Sequence, residues 1–150
     1  MTIYSKKPAL TESTMNLLCD QVRIAIENTG DIVRARHICR ALALDAGFSL
    51  IQTTLIVSAI SELTGNIILH ANSGEILLGR VSNETQSGIT IVASDKGPGI
   101  TNLRHVLSGD NSSTSNAGLG LRAVRFLANE FDIVSQLGAG TTVFTTIWVS

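Results

Sequence analysis

The chain has 150 residues, 44% hydrophobic and 15% charged, which is enough apolar content for one buried core and too little charge for a disordered segment. Eleven Lys and Arg stand against twelve Asp and Glu, a formal net charge of −1 with no basic run, which argues against binding nucleic acid through its phosphates. A membrane span is not expected, because the most apolar helical stretch, near residues 55–69, is interrupted by Ser58, Ser61, Glu62, Thr64, Gly65 and Asn66.

Residues 1–19 carry Pro8 and several Ser and Thr with little periodicity. They read as an N-terminal extension, with a short helix around Glu12–Leu18, and residues 20–150 as the one domain. M-T-I-Y-S-K-K-P has two lysines but no apolar run behind them, so it does not read as a signal peptide. Residues 20–27 alternate, with Val22, Ile24 and Ile26 on one face, as in a half-buried strand. After T-G-D, Asp31 is expected to cap a helix from Ile32 to Ala46. Ile32, Ala35, Ile38, Ala41 or Leu42 and Asp45 repeat along it, with Arg34, Arg36 and Arg40 mostly outward. Gly47 stands at the expected helix end. A second helix is expected from Ser49 to Ala71, ended by Asn72-Ser73-Gly74.

Residues 75–82 and 88–94 read as an antiparallel hairpin around a polar turn. A short helix near Asn102–Leu107 follows, then S-G-D-N-S-S-T-S-N-A-G, a run of small polar residues with the character of a functional lid. The next helix is expected to start near Leu119 or Leu121 and to run to Asn129. Residues 131–137 and 141–149 alternate as two strands around a G-A-G turn. Antiparallel strands with helices grouped between them predict an α+β sandwich, a mixed and mostly antiparallel sheet with helices on one face. Cys19 and Cys39 lack CxxC or His spacing and read as small core hydrophobes in a reducing, cytoplasmic setting.

Four features carry chemistry. Glu62 and Asn66 are four apart, on one face of the second helix, flanked by the apolar Ile60, Leu63, Ile67 and Ile68. A carboxylate and a carboxamide so placed can hold a divalent metal and activate a hydroxyl, or can sit on a solvated face. Asp95-x-Gly97-x-Gly99 follows a strand, where glycines allow backbone to approach a ligand and a carboxylate accepts from an exocyclic amine; an ordinary D-x-G turn has the same pattern. Gly118-Leu119-Gly120-Leu121 opens a helix after the polar run, a setting for phosphate and equally for a flexible linker. It is neither a P-loop nor a complete G-x-G-x-x-G. Arg122 and Arg125 beside it could meet phosphate or only solvent, and are read as facing solvent. Gly138-x-Gly140-Thr141 is a hairpin turn that could set a hydroxyl beside Asp95.

In this order, E-L-x-x-N, D-x-G-x-G-I, a Ser/Thr/Gly lid ending in G-L-G-L and G-x-G-T closely resemble the GHKL ATPase superfamily and its Bergerat ATP-binding fold, over roughly residues 20–149. Glu62, where sensor histidine kinases usually have Asn, resembles the anti-sigma-factor serine/threonine kinase branch. D-I-V-R-A-R, S-A-I-S-E-L-T-G-N-I and D-K-G-P-G-I are similar to the RsbT-type switch kinases of the stressosome. Asn116 in place of a lid glycine, Arg122-Ala123 in place of Pro-Gly and the N-terminal extension depart from that type, which puts turnover in doubt more than ATP binding.

The resemblance implies ATP and Mg²⁺ as cofactors. It implies Glu62 as general base, Asn66 at the metal, and Asp95 and Thr141 at the adenine. Gly97, Gly99, Gly118, Leu119 and Gly120 would close on the ribose and phosphates. It implies a STAS-domain protein as substrate, with a PP2C-type phosphatase or a sigma factor as further partners. His70 is read as a packing or capping residue, and His37 and His105 as surface. The competing reading is a non-catalytic, nucleotide-gated binding module that activates a phosphatase or sequesters a sigma factor; Glu62, which a pure binder does not need, favours the kinase.

Overall fold

Among the described residues, ten elements and one sheet organise the chain. The computed structural model describes residues 2–7, 19–108 and 116–150. Their order is β1 (Thr2–Lys7), β2 (Cys19–Ile26), α1 (Thr29–Asp45), α2 (Leu50–Ala71), β3 (Gly74–Ser82), β4 (Ser87–Asp95), α3 (Leu103–Ser108), α4 (Asn116–Leu127), β5 (Glu130–Gln136) and β6 (Gly140–Trp148). The six strands form one sheet in the order β1-β5-β6-β4-β3-β2. All of these pairings are antiparallel, so the expected mixture gives way to a uniformly antiparallel sheet.

Alternation decides which face is buried. Ile24 and Ile26, Ile76 and Leu78, Ile89, Ile91 and Ala93, Phe131 and Ile133, and Val143 and Ile147 share one parity in their ladders and join one core. Helices α1, α2 and α4 close that core with Ala35, Cys39 and Leu42, with Ile56, Ile60, Leu63 and Ile67, and with Leu121 and Val124. Full burial of each Ile or Leu is worth about 1.5–3 kcal/mol.

Both long helices begin on capping boxes. Asn28, rather than Asp31, is the N-cap of α1; Asp31 is the third helical residue and returns a bond to the Asn28 backbone. The helix therefore starts at Thr29, three residues before the expected Ile32. Leu42 and not Ala41 is its inward residue, and Asp45 is exposed. Ser49 caps α2 with Gln52. By length and composition alone the 22 residues of α2 would pass for a membrane span despite the polar interruptions. Here its apolar side packs into the core.

Residues 2–7, expected within a tail, form β1 on the edge of β5, with Tyr4 opposite Ile133. The expected helix at residues 12–18 and most of the polar run, residues 109–115, lie outside the described residues. Helix α4 begins at Asn116, earlier than expected, so Gly118, Leu119 and Gly120 are helical and not a loop leading to a helix. Ala, Leu and Arg in this segment favour helix enough to carry two glycines, each costing about 1 kcal/mol.

Candidate nucleotide site

Glu62 and Asn66 sit one turn apart on α2, on the side turned away from Ile60, Leu63 and Ile67. Glu62 is exposed and Asn66 half-buried. A Cβ on Gly120 would collide with the Glu62 carboxylate oxygen and lie 3.2 Å from its Cδ. Gly120 thus lets α4 lie against this side chain without the Glu62 carboxylate having to swing aside. The Asn66 Nδ2 is buried without a hydrogen-bond partner among the described residues. An orphaned amide costs about 1–3 kcal/mol, which a bound polar ligand would recover.

The D-K-G-P-G-I loop leaves the sheet at the end of β4. Asp95 Oδ1 accepts from Gly97 N at 2.9 Å, which fixes the carboxyl plane. A Cβ on Gly97 would come within 2.7 Å of Ala71 Cβ, so this glycine lets the loop cross the end of α2. Gly99 has φ +81°, and a Cβ there would lie 2.6 Å from Gln136 O. The loop and the β5–β6 hairpin interlock further through Gly138 N, which donates to Pro98 O at 2.9 Å.

Asp95 is the register partner of Thr141, and Thr141 of Ser135, so the three form a row across β4, β6 and β5. The Ser135 and Thr141 hydroxyls are 3.1 Å apart, and Ser135 Oγ accepts from Ile100 N at 2.7 Å. Ser135 was not among the sequence-derived site residues. The readable signal is its parity with Phe131 and Ile133: a hydroxyl on the buried face of a strand needs a partner. Ser135→Ala should free the Thr141 hydroxyl and leave Ile100 N–H unbonded. We expect a loss of about 1–2 kcal/mol in stability and a several-fold weaker ATP affinity by calorimetric titration.

Other expectations shift. Arg125, read as facing solvent, donates from Nη1 to Leu107 O at 3.0 Å and stacks on Tyr4. His70, read as a packing or capping residue, is exposed and is the basic residue of the last turn of α2; His37 is exposed as expected, and the His105 side chain lies outside what is described. Cys19 is exposed, not in the core. Cys39 is in the core, where burial pushes its thiol up to about 12 against the opposing pull of the Arg40 charge. It stays protonated and inert near neutral pH.

Among the described residues, four helices accompany an antiparallel sheet, with an acid–amide pair on one helix and two glycine turns at the ends of strands, an arrangement suited to a nucleotide. Residues 24–147 match the histidine kinase-like ATPase domain, and the chain belongs to that family. It is 37% identical over 130 residues to the serine/threonine-protein kinase RsbT of Bacillus subtilis (strain 168), an alignment covering 87% of this chain and 98% of that protein. The chain is an RsbT-like GHKL kinase that uses ATP.

Proposed function

We propose that the chain transfers the γ-phosphoryl group of Mg·ATP to a serine or threonine hydroxyl of a STAS-domain antagonist, as the switch of a cytoplasmic partner-switching pathway. In this reading residues 20–150 are the kinase unit, and residues 1–19 extend it. The observation that carries it is the contact of Gly120 with the exposed Glu62 carboxylate, one turn from the orphaned Asn66 amide. Glu62 would be open to an incoming protein, and Asn66 set deeper, toward the nucleotide.

Glu62 accepts the proton of the acceptor hydroxyl as its oxygen bonds to the γ-phosphorus. The bond from that phosphorus to the β–γ bridging oxygen breaks, and ADP leaves. Asp95 accepts from the adenine amine, with Thr141 and Ser135 beside it. Gly97 and Gly99, with Gly118, Leu119 and Gly120 of α4, line the approach to the ribose and phosphates. Mg²⁺, when bound, neutralises phosphate charge, and Asn66 would be its protein ligand. This donor set fits a cation that keeps most of its waters and takes few protein ligands. Among the described residues no group of three His, Cys, Asp or Glu offers an alternative.

A phosphate adds about −1.5 to −2 charges to the acceptor, enough to break a complex held by close packing. A complex of this chain with its STAS-domain acceptor should therefore persist with ADP and dissociate with Mg·ATP on a sizing column. Dissociation by a non-hydrolysable ATP analogue alone would instead support the nucleotide-gated binder, which acts on a phosphatase or a sigma factor by contact.

A further inference from the structure

Arg125 leaves α4 toward two other elements at once. Its bond to Leu107 O lies in the last turn of α3, where carbonyls run out of helical partners. Its guanidinium stands over the Tyr4 ring, 5.0 Å from the centroid, a cation–π distance. The Tyr4 ring meets Phe131 edge-on, with centroids 6.2 Å apart and planes at 65°. Phe131 is fully buried, so the stack rests on the core. A single side chain thus ties β1, α3 and α4 together.

Five residues earlier on α4, Gly120 faces Glu62. A glycine has no side chain to set its own depth against a neighbour. Leu121 and Val124 in the core and Arg125 at the rim help to set the depth and rotation of α4. Strand β1, which supplies the Tyr4 face, lies outside the residues matched by the family model.

We infer that β1 is a positioning element for phosphoryl transfer: the Tyr4–Arg125 stack and the Arg125–Leu107 bond hold α4 where Gly120 seats the Glu62 carboxylate. The inference rests on the reading of Glu62 as general base. Tyr4 and Arg125 are positioning residues, acting through α4 and not on nucleotide or acceptor.

The test uses the full chain, a recombinant STAS-domain acceptor and γ-labelled ATP, with amide hydrogen exchange of residues 116–127 as a second measurement. Tyr4→Leu, which keeps the apolar fill but loses the aromatic face, should lower kcat about fivefold, with KM for ATP within about twofold, and speed exchange along α4. Tyr4→Phe, which keeps the face, should match wild type in both. A wild-type kcat or unchanged exchange in Tyr4→Leu overturns the inference, as does a Tyr4→Phe variant as impaired as Tyr4→Leu. If the wild-type chain itself transfers no phosphate, the kinase reading fails, and exchange alone then decides whether the stack holds α4.

Discussion

Glu62→Gln should lower phosphoryl transfer by about 10²–10⁴, the usual contribution of a positioned general base, while ATP affinity stays within about twofold. The replacement has the same shape, so it fits beside Gly120 as the carboxylate does. It can accept a hydrogen bond but cannot take the proton of the hydroxyl. Glu62 is exposed on α2 and makes none of the core contacts, so stability should change by no more than about 0.5 kcal/mol. Single-turnover kinetics with labelled ATP, paired with calorimetric titration, separates the two effects. Equal losses in affinity and rate would mean that Glu62 binds nucleotide and is not the base.

Gly140→Ala should be the most damaging glycine-to-alanine change among the described residues. Gly140 has φ +115°, and its added Cβ would collide with Asp95 O and come within 2.8 Å of Lys96 Cα. Both neighbours are backbone, one at the end of β4 and one in the loop beyond it, and neither can swing aside. Strain and collision together should cost about 3–5 kcal/mol, a fall of roughly 10–15 °C in Tm. Because the displaced backbone is that of Asp95, ATP binding should fail along with stability. Gly138→Ala is the control two residues away. It also has a positive φ, +77°, but its Cβ would meet nothing within 4 Å. It should cost only about 1 kcal/mol by thermal melting. Similar losses at the two positions would contradict the role of the close approach.

Much of the sheet was readable because its inward residues are β-branched or apolar at strict alternation, as Ile89, Ile91 and Ala93 are. The acid–amide pair was readable from its spacing, since i and i+4 share a helix face whatever surrounds them. Strand β1 was not. Tyr4 pairs with Ile133, at the far end of the chain, and no local pattern in T-I-Y-S-K-K announces a partner so remote. T-G-D has the pattern of a turn, yet Asn28 and Asp31 close a capping box around it and start α1 three residues earlier. Gly118 and Gly120 have the pattern of a glycine-rich loop at a helix start; the close approach of α4 to Glu62 is a place where a helical glycine fits. Ser135 passed unnoticed because its partners, Ile100 N and Thr141, come from two other segments.

Transfer of a phosphoryl group onto a protein is what separates the proposed kinase from a fold that only binds nucleotide. The most direct measurement incubates the full chain with γ-labelled ATP, Mg²⁺ and candidate STAS-domain proteins, then identifies any labelled amino acid. Label is expected on a serine or threonine of one such protein, dependent on Glu62. Measurable ATP binding with no label on any of them would contradict the kinase reading.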